Sequence, residues 1–261
     1  MDIKETVYKR KNVHGILAVK GERIQREGTQ FFRKTYDLAA IKGEDKKSTY
    51  DEARMTETMQ RILPDEKYFP KVLNYGEDFI ETEFIYGETI ASILNIESPN
   101  DPDFKQDDED IIREVWQALK DSDQKVKQIH AENMLHHDLH LDNIMIVRDD
   151  AGSHVTFIDY EKSKMMSDNP SIAKTQVDFD RRFILKAALI IGLKMKEFRK
   201  DPLFLEAFKK KKQLFRELSG MNLEECIQEI RVTPKKTTDI ENQRSKMQAI
   251  LDKMNNPQIP V

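Results

Sequence analysis

Short runs of aliphatic and aromatic residues, separated by turn-forming residues, dominate the first third of the chain. Such runs predict β-strands, and the glycine-containing segments Asn12–Gly15 and Arg26–Thr29 predict two of the turns between them. Two further strands are predicted after a helical segment, and the last of them leads to a connector at Tyr86–Glu88. The five predicted strands are Thr6–Lys11, Ile16–Lys20, Gln30–Tyr36, Tyr68–Tyr75 and Asp78–Ile85.

The first predicted helix, Ser48–Leu63, carries one glutamate on its apolar face. Four side chains recur at helical spacing and therefore share that face: Glu52, Met55, Met59 and Ile62. We expect Glu52 to point toward the protein, although most helix glutamates are solvated. Further helices are predicted over Asp110–Asn133, Phe179–Leu193 and much of 194–261.

The most informative stretch of the sequence runs from Leu135 to Tyr160. His136-His137-Asp138-Leu139 is followed, five positions after the aspartate, by Asn143. Two strand-like runs, Ile144–Val147 and His154–Ile158, flank a segment with the Asp and Gly residues of a hairpin turn. Asp159 comes directly after the second run, so the hairpin is expected to set its distance from Asn143.

This spacing is suited to phosphoryl transfer, a reaction in which the protein mainly positions groups and stabilises charge. Asp138 is the candidate base for an acceptor hydroxyl. Asn143 and Asp159 are candidate ligands for Mg²⁺, which prefers carboxylate and amide oxygens. A helical metal-dependent phosphohydrolase is a competing interpretation of His136 and its neighbouring histidines, but the strand-like run after Asn143 disfavours it.

The same residues resemble the protein-kinase-like superfamily, whose catalytic loop has the pattern H-x-D-L-x-x-x-N. His140, where protein kinases usually have lysine, resembles the aminoglycoside phosphotransferase and choline kinase branch, as does Ile158–Glu161 in place of D-F-G. The resemblance implies an α+β, two-lobed fold that uses ATP and Mg²⁺. An antiparallel-sheet lobe with one helix would span residues 1–87, and a mostly helical lobe would span residues 88–261.

The resemblance also implies a lysine on the third strand, paired with a glutamate on the following helix. We predict Lys34 and Glu52 for this pair because the Gly28 turn favours a strand containing Lys34. Lys42 is the alternative, since Ala39–Lys42 mimics the V-A-I-K motif.

The remaining nucleotide contacts are implied by the resemblance alone. The backbone of Glu83 and Ile85 would hold the adenine, Thr82 would lie behind it, and Asn12–Gly15 would cover the phosphates. In the catalytic loop, His136 would brace the backbone, and His140 is a candidate for stabilising the transferred charge.

The sequence after Asp159 departs from ordinary protein kinases. No A-P-E motif follows, and Tyr160–Val177 is too short for a full activation segment. Asp178, or failing it Asp180, resembles the helix acid that braces the catalytic loop. Short segments of this kind occur in small-molecule phosphotransferases and in minimal effector kinases that bacterial pathogens secrete. A protein acceptor is slightly favoured; a small-molecule acceptor and a non-catalytic nucleotide-binding scaffold are the alternatives.

Composition narrows the class of protein further. A net charge of −4 gives no general electrostatic reason to bind nucleic acid, and the longest apolar run, Phe183–Leu193, is too short to span a membrane. A single cysteine, Cys226, and a polar start predict a cytoplasmic protein, with secretion into a host cell without a cleaved signal left open. The acidic segment Ser98–Asp110 is interpreted as a solvated helix start or as a binding lip for a cationic acceptor. Any activating partner is unknown.

Overall fold

The fold is α+β, as predicted: a five-stranded antiparallel sheet at the N-terminal end is followed by a mostly helical region. The computed structural model describes residues 3–11, 17–38, 49–62, 69–96, 105–150 and 152–219. They fall into two compact units, one ending at Phe198 and the other beginning at Arg199. The five-stranded sheet followed by a mostly helical region is consistent with a kinase-like two-lobed fold. The lobe boundary at residue 87 stays a prediction.

The N-terminal sheet has the strand order β1-β2-β3-β5-β4. The β2–β3 hairpin turns at Glu27 and Gly28, whose φ angles are 51° and 83°. Two consecutive residues with positive φ form the tight hairpin turn that matches the twist of the flanking strands. The predicted turn at Arg26–Thr29 is therefore present. The strands are β1 Ile3–Lys11, β2 Leu17–Arg26, β3 Thr29–Tyr36, β4 Val72–Tyr75 and β5 Phe79–Glu83.

Strand β2 extends beyond its predicted end at Lys20 to Arg26. In this added part of the strand, Ile24 and Glu22 are both buried. A pattern of apolar positions does not predict a buried glutamate, so it did not predict this part of the strand. The carboxylate of Glu22 accepts a hydrogen bond of 2.6 Å from Lys20 Nζ, and this ion pair accompanies its burial. The prediction of a short strand was wrong for this reason.

Helix α1, Thr49–Ile62, contacts β4 and β5 of the sheet and lies close to its predicted bounds. Its buried side chains recur at helical spacing: Glu52, Ala53, Thr56 and Met59. The inward orientation predicted for Glu52 is present, since only 5 % of that residue is exposed.

The rest of the first unit carries the predicted hairpin between two long helices. Strands β6, β8 and β9 form a three-stranded sheet in the order β6-β8-β9, and β7 pairs with β10. The elements are β6 Gly87–Thr89, α2 Ile90–Ile93, α3 Glu109–Ala131, β7 Met134–Leu135, β8 Ile144–Asp149, β9 Gly152–Phe157, β10 Lys164–Met165 and α4 Pro170–Lys194. In the second unit, α5 spans Pro202–Ser219.

Helix α4 begins at Pro170 rather than at the predicted Phe179. Asn169 caps it, because its side-chain oxygen accepts hydrogen bonds from the backbone N–H groups of Ser171 and Ile172. Proline suits the first helical position, where no N–H partner is needed. Within the described ranges no helix is long and apolar enough to cross a membrane.

Candidate active site

The candidate catalytic loop, residues 136–143, is held by hydrogen bonds between its own backbone groups. The N–H of His140 donates to the Asp138 carbonyl at 2.8 Å, and the N–H of Asn143 donates to the His140 carbonyl at 2.9 Å. The N–H of Ile158 donates to the Asn143 carbonyl at 3.1 Å, which ties the loop to the segment that carries Asp159. Backbone hydrogen bonds therefore join the loop to the hairpin.

Asp180 of α4 braces this loop. Its carboxylate accepts hydrogen bonds from the backbone N–H groups of His136 at 3.0 Å and His137 at 2.8 Å, and lies 3.0 Å from His130 Nε2. Burial acts to raise the pKa of Asp180, but the hydrogen bonds from His130 and from the backbone N–H of His137 act to lower it, and the pKa stays below its usual value. Asp178, the first choice from the sequence, is exposed, so that prediction was wrong and Asp180 takes the position.

His136 is completely buried beneath the site. Its Nε2 lies 3.0 Å from the Ile158 carbonyl, and its ring packs against Phe157 and Tyr160. Burial lowers the pKa of His136, so the neutral ring donates its Nε2 proton to that carbonyl. These contacts favour the predicted bracing role over proton transfer.

Asp138 projects from the loop with 24 % of its side chain exposed. Its Oδ2 lies 2.8 Å from Nζ of Lys162, which comes three positions after Asp159. The charge of Asp138 also acts on Arg182. Burial lowers the pKa of Arg182 below its usual value, and the Asp138 carboxylate partly offsets this effect. Sequence reasoning missed Lys162, because no local motif indicates that its side chain turns back to the loop.

Asn143 is buried, and its amide has a defined orientation. Nδ2 donates to the Asp138 carbonyl at 2.9 Å and lies 3.2 Å from Nε2 of His140. A carbonyl only accepts hydrogen bonds, so this neighbour fixes which end of the amide carries the nitrogen. The oxygen of Asn143 therefore points away from the loop backbone, as a metal ligand requires. His140 sets this amide and is edge-on to Phe183.

Lys34 brings distant parts of the chain together. Its Nζ lies 3.2 Å from Glu52 Oε1, 2.7 Å from Asp159 Oδ1 and 3.0 Å from Glu161 Oε2. Lys34 itself is only 4 % exposed. The structure thus places the predicted lysine, helix glutamate and strand-end aspartate in one cluster and adds Glu161, which sequence reasoning did not single out.

Burial dominates the electrostatics at the back of this cluster. It raises the pKa of Glu52, an effect that Lys34 partly offsets and the charge of Asp159 reinforces. Tyr36 donates its hydroxyl hydrogen bond to Glu52 Oε2, and burial raises the pKa of that phenol above its usual range. Glu52 is thus held between a hydroxyl donor and an ammonium donor.

The donor set fits Mg²⁺ bound together with phosphate. Three carboxylates surround one ammonium group, an excess of negative charge that a divalent cation would offset. Asp159 and Asn143 would supply oxygen ligands to such an ion, and magnesium commonly completes its shell with phosphates and water. Within the described part of the chain, no three histidine, cysteine or carboxylate side chains are arranged to hold a metal by themselves. The histidines of the loop have separate partners, which disfavours the metal-hydrolase interpretation.

The predicted adenine contacts lie at the end of the N-terminal sheet. Glu83 ends β5, and its N–H donates to the Lys71 carbonyl at 2.8 Å. Ile85 lies in the connection between β5 and β6, and Thr82 pairs with Val72 in β4. The binding roles of these residues stay predictions. Asn12–Gly15 and Lys42 lie outside the described residues.

Comparison with known proteins gives one distant relative of the kinase class. No family model matches the chain. Over 170 residues, 62 % of this chain, the sequence is 26 % identical to a protein of Dictyostelium discoideum described as the probable serine/threonine-protein kinase fnkE. The match spans 11 % of the length of that relative. This similarity supports a protein-kinase-like relationship.

Proposed function

We propose that this protein is an ATP- and magnesium-dependent kinase that transfers the γ-phosphate to a hydroxyl group of a protein acceptor. The proposal is carried by one observation: Lys34 of β3 lies 2.7 Å from Asp159, at the far end of the catalytic hairpin. Burying a lysine beside three carboxylates contributes little to folding stability, because removing charged groups from water costs free energy. A phosphate- and metal-binding centre requires such charges.

Each residue then has a defined task. Asp138 orients the acceptor hydroxyl and takes its proton as the oxygen attacks the γ-phosphorus. Lys34 holds phosphate oxygens, and Glu52 positions Lys34 from behind. Asn143 and Asp159 hold magnesium, which neutralises charge on the phosphates.

The surroundings of Asp138 favour a protein acceptor. Lys162 and Arg182 put positive charge beside the carboxylate, which disfavours a cationic acceptor such as an aminoglycoside or choline. Phe179, 37 % exposed, contacts the ring of His137 next to Asp138 and offers apolar surface to a polypeptide. Ile172, in the first turn of α4, is also exposed.

The acidic segment gives the cationic alternative little support. Asp107 forms an ion pair of 2.6 Å with Lys194, and Asp108 caps α3 by accepting hydrogen bonds from the N–H groups of Asp110 and Ile111. These two acids therefore have structural partners. Residues 98–104 of this segment lie outside the described residues.

The test is incubation of the purified protein with magnesium and γ-labelled ATP, with and without eukaryotic cell extract. Magnesium chelation provides the blank. Label on extract proteins or on the protein itself is the expected result. Label only in small molecules would favour a metabolite phosphotransferase. No transfer, accompanied by a magnesium-dependent thermal shift with ATP, would favour a nucleotide-binding scaffold.

A first prediction compares the two candidate phosphate lysines. Lys34→Met should reduce phosphoryl transfer by at least about 10²-fold, the scale of removing one positioned charge-stabilising donor. Lys42→Met should leave the rate within about threefold of wild type. Initial rates with labelled ATP measure both. The opposite order would assign the phosphate to Lys42.

Loss of Lys34 also removes an ammonium that three carboxylates share, so destabilisation must be separated from loss of function. A Lys34→Met/Glu52→Gln double variant carries one buried charge fewer than the Lys34→Met variant. It should recover thermal stability relative to that variant without recovering transfer. Recovery of both would show that Lys34 acts only in folding.

A second prediction concerns pH. The folded protein binds the Glu52 proton more tightly than the unfolded chain, where the pKa is about 4.5. The contribution of Glu52 to stability is therefore complete below pH 4.5 and is lost as the pH rises through its raised folded pKa. Glu52→Gln should gain stability relative to wild type over that rise. Urea unfolding of both proteins between pH 4.5 and 8 measures the difference in their free energies of unfolding. If the stability of Glu52→Gln relative to wild type stays constant or declines over this range, the pKa of Glu52 is not raised in the folded protein.

A further inference from the structure

Lys162 is a cation in direct contact with the candidate base. Its Nζ lies 2.8 Å from Asp138 Oδ2, and 53 % of its side chain remains exposed at the mouth of the site. An ammonium group has three donors, and this contact uses one of them. Lys162 can therefore hold Asp138 and still donate to a group that arrives from solvent.

The two residues that follow Lys162 attach this segment to the catalytic loop and to the strand before it. Ser163 is completely buried, and its hydroxyl donates to the His136 carbonyl at 3.1 Å. The N–H of Ser163 donates to the Tyr160 carbonyl at 3.0 Å, and Lys164 pairs with Leu135 in the β10–β7 sheet. The position of Lys162 relative to Asp138 is thus set by the fold rather than by a flexible surface segment.

Two other basic groups near Asp138 also have contacts of their own. His140 Nε2 contacts the amide of Asn143, and the guanidinium of Arg182 lies over the rings of Phe179 and Phe183, 3.6 Å and 4.5 Å from their centroids. A phosphoryl group approaching a carboxylate base is repelled by it, because both carry negative charge. A cation between the two would offset that repulsion.

We propose that Lys162 bridges the Asp138 carboxylate and the transferred phosphoryl group; this inference rests on the proposed function. As transfer proceeds, the bond from γ-phosphorus to the bridging oxygen of ADP breaks and a bond to the acceptor oxygen forms. Asp138 takes the hydroxyl proton. Lys162 keeps its charge throughout and donates hydrogen bonds to Asp138 and to an oxygen of the phosphoryl group.

The kinetic test uses Lys162→Ala and Lys162→Arg, with Lys174→Ala on the exposed face of α4 as a matched control. The alanine variant should lose about 10²-fold in kcat while KM for ATP changes by less than about threefold. Arginine should recover at least a tenth of the wild-type kcat, since it restores the charge. The control variant and all thermal midpoints should match wild type. A wild-type kcat for Lys162→Ala overturns the inference.

A binding test separates this inference from the proposed function. Magnesium–ADP with aluminium fluoride mimics a phosphoryl group in transfer, whereas magnesium–ADP alone does not. Lys162→Ala should bind magnesium–ADP as wild type does but should lose at least about tenfold in the affinity gained from aluminium fluoride. If aluminium fluoride raises the affinity equally in both proteins, the role of Lys162 is overturned but the proposed function is not. Wild-type protein that binds no magnesium nucleotide overturns both proposals.

Discussion

Asp138→Asn is expected to transfer phosphate about 10³-fold more slowly than the wild-type protein while binding magnesium–ATP with nearly the same affinity. The amide keeps the size of the carboxylate but cannot take the hydroxyl proton, and general-base catalysis contributes about 10²–10⁴-fold. The carboxylate is partly exposed beside Lys162, where an acceptor can reach it. Single-turnover transfer of γ-label and calorimetric titration with nucleotide measure the two quantities.

The matched control for this experiment is Asp150→Asn, which changes an exposed aspartate in the β8–β9 turn. It should behave as wild type. Asp138→Asn should also keep its thermal midpoint within a few degrees, because exposed ion pairs contribute little to stability. Retention of more than a tenth of the wild-type rate would exclude Asp138 as the base.

The second large effect is expected at the metal site. Asp159→Asn should lower magnesium-dependent turnover by about 10³-fold, since it removes the negatively charged member of a two-residue ligand set. Asparagine is the informative replacement because Asp159 has a φ of 61°, and asparagine tolerates this left-handed conformation better than alanine does. The variant therefore tests the charge rather than the backbone. Turnover across a magnesium titration measures the effect.

Glu161→Gln is the comparison for Asp159→Asn. Both side chains contact Lys34, but only Asp159 is assigned to the metal. The glutamine variant should keep at least a tenth of the wild-type turnover. Direct binding of Mn²⁺ in the presence of ADP, followed by electron paramagnetic resonance, should be lost in Asp159→Asn and retained in Glu161→Gln. Retained binding in both variants would contradict the assignment of Asp159.

The catalytic hairpin could be predicted from sequence because its geometry is local. Asp138, Asn143 and Asp159 lie on one loop and one hairpin, so their spacing along the chain determines their spacing in the fold. Glu52 was predictable for a similar reason: a helical period places it on the buried face of α1. The catalytic roles of all four residues remain predictions.

The contacts that sequence reasoning missed are long-range or polar. The choice between Asp178 and Asp180 depends on where α4 begins and which of its faces is buried. The first turns of α4 are largely polar, so the apolar pattern did not predict its start at Pro170. The Asn169–Pro170 pair is a capping signal that could have revealed it. Lys162 carries no such signal, because its contact with Asp138 depends on how residues 160–169 fold back.

Residues 160–169 are also all that separates Asp159 from α4. Enzymes often store an on–off switch in a long loop at such a place, but here Ser163 is buried and the backbone is joined to β7 through β10. If the proposed function is right, a regulator that acts by moving such a loop would find few movable residues between Asp159 and α4.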